Sequence, residues 1–325
     1  MDKTFPVEAR KLIRRVQNFA SLHQLWSYGD SFILGISGGP DSVCLLDIFA
    51  YLKKKYAFTI TLAHVNYGLR GKDSDLDEAF VKELACHYDF PLFILHPKIS
   101  LKNNLEERLR DIRYGFFETI RKQTKSRHIV TAHQEDDQAE TLLLHLFRGS
   151  GLRGLSAMRP KNGCLVRPLL DTSRMEILDY LRVRGISFRT DATNLSDQFL
   201  RNKVRNKLLP LLEQEYAQKI KQTLAKTASL IAEDFSLLEE NMTKNDEELL
   251  LDNHSFSLKS FSRLSLSERR HFLRTFFKIH VPKPSGSWIT ETEKMLSLAK
   301  NKNQILSFPG LKILRKGDTV LLIQD

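Results

Sequence analysis

The chain has 325 residues, 42% of them hydrophobic and 27% charged, with 50 Lys and Arg against 39 Asp and Glu for a formal charge of +11. That length favours two domains at roughly 150 residues each, and the basic surplus fits either a solvated surface or a polyanionic partner, nucleic acid first. Cys44, Cys86 and Cys164 form no Cys-x-x-Cys pair, and no apolar run reaches the ~18 residues of a membrane span.

The start, MDKTFPVEARKLIRR, lacks a long apolar stretch of the secretory kind, so the expectation is a cytoplasmic protein with no membrane partner. Strand-like and helix-like segments then alternate. FILGIS is an apolar run, and DSVCLLDIFAYLKKKY behind it has a helical apolar pattern. FTITLAHVN predicts a strand, SDLDEAFVKELACHY a helix, FPLFILHP a short buried strand and NLEERLRDIRYGFFETIRKQ a helix. RHIVTAH and EDDQAETLLLHLFRG repeat the strand–helix order. Such alternation predicts an α/β fold with a doubly wound parallel sheet, whose ligands bind beyond the carboxyl ends of the strands. Residues 37–42, 64–70 and 131–140 each follow a strand end, which places them along one rim.

Near residue 216 the character changes. Residues 213–242 read as one long amphipathic helix without Gly or Pro. The expected division is a catalytic domain over 1–215, a bridging helix over 216–242 and a smaller mixed α/β domain over 243–325. In the last of these, SLSERRHFLRTFFKIH predicts a helix, and the tail predicts short strands joined by Pro-Gly and Lys-Gly-Asp turns.

Chemistry concentrates in a few clusters. In SGGPDS, Gly38 and Gly39 let backbone N–H groups approach an anion, and Pro40 suits a first helical position. The positive end of the next helix faces the same loop, and Ser37 and Ser42 add hydroxyls. Asp41 would repel a phosphate unless it holds a bridging Mg2+. The alternative is an ordinary Gly-Gly-Pro-Asp turn. His133, Asp137 and Glu140 fall at i, i+4 and i+7 and share a face if all three are helical. They either await a cationic group or merely form an acidic helix start that favours the dipole. Between 148 and 210 basic residues greatly outnumber acidic ones, and RNKVRNKLLP holds four cations and no carboxylate, a composition that phosphate backbones select.

SGGPDS behind a buried strand resembles the SGGxDS loop of the PP-loop ATP pyrophosphatases. The ordered set HVNYGLR, NLEERLRDIRY, TAHQEDDQAET, RGSGLRGLSAM, RPLL, DATN and RNKVRNKLLP closely resembles the tRNA(Ile)-lysidine synthase family over roughly residues 30–210. Tyr67 is a departure, since the family usually has a second histidine there. The length resembles that of the family's shorter members. The resemblance implies that ATP adenylates the C2 oxygen of the wobble cytidine in a CAU-anticodon isoleucine tRNA, after which free L-lysine displaces AMP to form lysidine. It implies ATP contacts from Ser37, Gly38, Gly39, Pro40, Asp41, Ser42 and His64, with Asp41 on Mg2+. His133, Asp137 and Glu140 would bind lysine, with Asp137 the proton acceptor and Arg113 on the phosphates or the cytidine. Arg201 and Arg205 would touch the tRNA near its anticodon loop, the 243–325 domain would grip its body, and a homodimer is left open. A PP-loop thiolase, an ammonia-using synthetase and a non-catalytic RNA-binding protein are the other readings. The first wants paired cysteines and the second a glutaminase domain with its catalytic cysteine. Asp41, Asp137 and Glu140 argue against the third.

Overall fold

The computed structural model describes residues 5–99, 105–190, 200–281, 284–298 and 303–324. It has two compact units, Met1–Ala232 and Glu233–Asp325.

The first unit begins with α1 (Val7–Leu22), an amphipathic helix not foreseen from the sequence. Then come β1 (Ser31–Gly35), α2 (Pro40–Tyr56), β2 (Thr59–Val65), α3 (Lys72–Tyr88), β3 (Leu92–Leu95), α4 (Leu105–Gln123), β4 (His128–Val130) and α5 (Glu135–Phe147). A short helix α6 (Leu152–Leu155) leads to the two-residue strands β5 (Lys161–Asn162) and β6 (Leu165–Val166), and then to α7 (Arg174–Arg184). The sheet order is β3-β2-β1-β4-β6-β5, parallel throughout except where β5 and β6 pair as a hairpin. This is the doubly wound α/β fold expected from the alternation.

Side-chain alternation along β1 divides the core between two faces. Phe32 and Leu34 join residues of α1, α2, α3 and α7, while Ile33 joins Ala63, Ile129 and the α4 residues Phe117 and Ile120. Around Phe32 the rings of Phe49 and Phe58 lie 5.2 and 4.8 Å away in edge-on contact, each such pair adding about 1 kcal/mol beyond its area. Asp47, in the middle of α2, is a buried carboxylate. It accepts hydrogen bonds from Tyr88 of α3 and from Tyr180 and Arg184 of α7, at 2.6–3.2 Å. At the last residue of β1 a Cβ would stand 2.7 Å from the Phe117 ring, so Gly35 permits the close approach of α4. Gly35→Ala is expected to lower stability by roughly 1–3 kcal/mol in urea unfolding, as overpacked cores do. Pairing it with Phe117→Leu should recover part of that stability, and no recovery would refute the steric clash as its cause.

After residue 200 the chain forms α8 (Leu200–Lys203), a π-helical turn (Val204–Leu208) and α9 (Leu209–Glu215). The single helix expected over 213–242 is interrupted. Tyr216 and Ala217 both donate to Leu212 O, and a new helix, α10 (Ile220–Leu249), starts a few residues later. It runs past the expected end and through the division between the units. No Gly or Pro marks the break, so the apolar period carries across it unseen.

The second unit holds β7 (Leu250–Asp252), β8 (Ser255–Ser257), α11 (Leu258–Ser262), α12 (Leu266–His280), α13 (Gly286–Ser297), β9 (Asn303–Phe308), β10 (Leu311–Lys316) and β11 (Thr319–Gln324). Its antiparallel sheet has the order β7-β8-β11-β10-β9 and packs on a core of Phe256, Phe261, Phe272, Phe276 and Phe277. Ser265 and Glu268 close a capping box at the start of α12. Among the described residues no helix is long and apolar enough to cross a membrane.

Candidate active site

Because β1, β2 and β4 are parallel, the segments after them open on one rim of the sheet. The loop Ser37–Ser42 follows β1. Gly38 has a φ of +82°, which favours glycine, and a Cβ there would also press on the Phe80 ring at 3.3 Å. Gly39 caps α2 with no side chain bonded to the helix end, and Pro40 opens it. The positive end of α2 is thus left facing the loop. Ser37 and Ser42 tie the turn together, their hydroxyls 3.1 Å apart and Ser42 donating to Gly39 O at 3.0 Å. The Arg189 N–H donates to Gly38 O at 2.9 Å, and its guanidinium donates to Asp77 of α3 at the same distance. Residues just after α7 therefore strap the loop to α3.

Asp41 lies in the first turn of α2. Burial pushes its carboxyl up to about 6, opposed by Arg174 and reinforced by Asp137. The Arg174 guanidinium stands 3.3 Å away, a contact the sequence did not announce because Arg174 was one of many cations in its stretch. A partly exposed carboxylate beside a glycine loop at a helix start is a fitting partner for a cation. Among the described residues no three His, Cys, Asp or Glu side chains are grouped to hold a metal. A Mg2+ at Asp41 would complete its shell with phosphate oxygens and water, its usual habit.

His64, at the end of β2, is buried at 5% exposure. Its Nδ1 donates to Ile36 O at 2.9 Å, which leaves Nε2 as a buried acceptor without a partner among the described residues. Burial lowers the pKa of the ring, keeping it neutral. Tyr67, in place of the family's usual histidine, donates to Leu109 O of α4 at 2.8 Å. It thereby holds the helix that carries Arg113, whose Nε is buried and unbonded among the described residues.

The structure corrects the expected helical face of His133, Asp137 and Glu140. Helix α5 begins at Glu135 with Gln134 as its cap, so His133 precedes the helix and bonds Thr131 Oγ1 at 2.9 Å. Burial lowers His133 to about 3, with Asp137 opposing and Arg167, Arg113 and Arg201 assisting. Asp137 is the third residue of a capping box and accepts the Gln134 N–H at 3.0 Å. This is the acidic helix start that the sequence offered as the alternative.

The remaining oxygens of Asp137 and Glu140 are met by arginine. Arg201 bonds Glu140 at 2.7 Å and Asp137 at 2.9 Å. Arg205 bonds Glu140 at 2.5 Å and Asp137 at 3.1 Å. The two guanidiniums expected to face phosphate are turned inward here. A run of cations in sequence shows no direction, and Glu140, with no exposed surface, demands compensation. Burial opposes ionisation of Asp137, but Arg201, His133 and Arg205 outweigh it and hold the carboxyl below its usual range. Glu135, at the very start of the helix, behaves oppositely. Burial and then Asp136 push it up to about 7. The DATN stretch, 191–194, lies outside the described residues.

A family model of the PP-loop domain matches residues 9–212. A tRNA(Ile)-lysidine synthase from Caldanaerobacter subterraneus subsp. tengcongensis is 36% identical over 70% of this chain and 49% of its own length. One from Dehalococcoides mccartyi is 39% identical over 74% of this chain and 54% of its own. The chain thus spans about half the length of these relatives. A third, from Chlorobaculum tepidum, is 33% identical over 79% of this chain and 80% of its own. In architecture the chain is similar to the U34-tRNA thiolase NcsA from Methanococcus maripaludis, solved with its [4Fe-4S] cluster. The TM-score is 0.58 at 15% identity, covering 69% of this chain and 79% of that one.

Proposed function

We propose, from the premise that this chain belongs to the tRNA(Ile)-lysidine synthase family of PP-loop proteins, that it ligates L-lysine to C2 of the wobble cytidine in CAU-anticodon isoleucine tRNA, changing the codon read from AUG to AUA. The observation that carries the reading is the single rim. A glycine loop at a helix start, a half-buried carboxylate beside it and a cluster of ionisable groups meet at the ends of three parallel strands.

In the first step the C2 oxygen of cytidine attacks the α-phosphorus of ATP, and pyrophosphate leaves. Ser37, Gly38, Gly39, Pro40 and Ser42 would receive the departing phosphates, with Asp41 holding Mg2+, which neutralises their charge. His64 supports the loop from below through Ile36 O, and Arg113 would steady the phosphates or the base. In the second step the lysine ε-amine, having given up a proton, attacks C2 and AMP leaves. Adenylation is needed because a carbonyl oxygen is a poor leaving group, and positioning supplies much of the remaining acceleration.

Asp137 and Glu140 as lysine binders, and Arg201 and Arg205 as tRNA contacts, draw on one set of four side chains. Both assignments hold together if tRNA phosphates take the arginines and release the carboxylates to the cationic substrate. His133 would then contact the lysine beside them. Asp137 becomes a competent proton acceptor only after that release, because two guanidiniums otherwise suppress its basicity.

The test is labelled lysine with ATP and Mg2+, supplied with transcripts that carry or lack the wobble cytidine. Stable label that needs both ATP and that cytidine, with AMP formed in equal amount, is the expected result. AMP release that depends on tRNA but brings no label would replace lysine with another nucleophile.

A further inference from the structure

Helix α1 presents two unlike faces. Ala9, Leu12, Ile13, Val16 and Ala20 are buried in the main core, whereas Lys11, Arg14, Asn18 and Leu22 are exposed. Between the exposed edge and the segment after β6 lies an open cleft of about 420 Å³, bounded by Lys11, Arg14, Arg15, Phe19, Leu22 and Asp171. The cations there are not equivalent. Arg15 bonds Asp171 Oδ2 at 3.2 Å and Glu176 Oε1 at 2.6 Å, and donates also to Asp171 O. Its charge is answered, and it in turn neutralises the acidic wall of the cleft. Lys11 and Arg14 make no hydrogen bond or ion pair with any described residue, and Glu8 is the nearest acid on their own helix. The cleft therefore keeps two cations unpaired among the described residues, beside an aromatic edge and a leucine.

That chemistry is selective. Two unpaired cations attract phosphate, and an aromatic beside them gives a base or sugar an apolar surface to rest on. The cleft is open, whereas sites for small ligands usually enclose most of the molecule they hold. An open, basic, partly aromatic trough suits a polymer that passes over it.

Its position adds a second argument. The turn that contributes Asp171 also contributes Thr172, whose carbonyl accepts the Glu135 N–H at 3.0 Å at the start of α5. Two residues on, Arg174 reaches Asp41. One short segment, residues 171–174, thus touches the cleft, the acidic helix start and the glycine loop, which brings the cleft close to the rim.

We infer that the α1 cleft is a docking track for the backbone of the RNA substrate, with Lys11 and Arg14 on phosphates and Phe19 and Leu22 beneath an adjoining sugar or base. The inference rests on the proposed function in taking the substrate to be a tRNA. It assigns RNA binding to an element outside the stretch that the sequence motifs cover.

The test compares wild type, Lys11→Glu/Arg14→Glu and a charge-matched control, Lys54→Glu/Lys55→Glu, placed at the far end of α2 from the rim. Equilibrium binding to a CAU-anticodon tRNA transcript is measured over a series of salt concentrations, with ATP binding and thermal unfolding alongside. The expected result is a tRNA affinity at least ~10-fold below the control's and a salt dependence shallower by about 2 in logarithmic slope, roughly one for each phosphate left unneutralised. ATP binding and the unfolding midpoint stay unchanged, because neither side chain has an ionic partner among the described residues. Lys11→Ala/Arg14→Ala should give the same shallower slope without added repulsion. Affinity and slope equal to the control's would overturn the inference. Lysine incorporation by wild type is read separately. If it fails while binding depends on Lys11 and Arg14, the ligase reading falls and the track stands; if it succeeds and the slopes match the control's, the track alone falls.

Discussion

Asp41→Asn is expected to reduce tRNA-dependent AMP release at least ~100-fold, the scale on which a single electrostatic group at a reacting centre acts. The substitution keeps the shape of the side chain and removes only its charge. The same change should raise the unfolding midpoint at pH 7.5. The folded carboxyl, pushed up to about 6 by burial, holds its proton more tightly than the unfolded one, whose ordinary value is 3.8. Between those two values the folded state binds more protons than the unfolded state, so stability from this group falls as pH rises through the window and stays reduced above it. Asparagine avoids that penalty. In wild type, ATP binding in the presence of Mg2+ should weaken as pH falls through 6 and the carboxylate is protonated. In the variant that dependence should flatten. Wild-type AMP release from Asp41→Asn would remove the residue from the chemistry.

The second large effect is expected at Glu140. This carboxylate has no exposed surface and receives both Arg201 and Arg205. Breaking a buried ion pair by removing one partner leaves charge without compensation, at a cost of roughly 3 kcal/mol. Glu140→Gln should therefore lower stability in urea by that amount and raise the KM for lysine as well. Asp136→Asn is the contrast. Its partner Lys221 stands 3.6 Å away, and a loose pair of that kind is worth under about 1 kcal/mol. Equal midpoints for the two variants would show that the four-charge cluster contributes little to the folded state.

The sheet and its rim were legible because both depend on local patterns. FILGIS, FTITLAHVN and RHIVTAH are apolar runs followed by polar clusters, and parallel strands send every such cluster to the same edge. The SLSE start of α12 and the turns around Gly310 and Gly317 were legible for the same reason. The pairing of Arg201 and Arg205 with Asp137 and Glu140 was not. It joins residues 61 to 68 positions apart, and nothing local distinguishes a cation bound for phosphate from one bound for a buried carboxylate. At His133 a local pattern misled. A helical period fitted it, but Gln134 and Asp137 close the capping box after it and exclude it from the helix. Helix α1 was missed although Ala9, Leu12, Ile13, Val16 and Ala20 stand at helical spacing, because no capping side chain marks its start.

The buried carboxylate of Asp47 also bears on the order in which the chain assembles. Its donors Tyr180 and Arg184 lie 133 and 137 residues further along, so an emerging chain carries α2 with only Tyr88 to meet this carboxylate until α7 has been made. A carboxylate stranded in an apolar interior holds the first strand–helix units loose. Contacts of such long sequence separation also form late because they close large loops. The glycine loop opens the same helix, so its final setting waits on residues synthesised long after it. The setting of that loop and the closing of the core around α2 and α7 thus depend on the same long-range contacts.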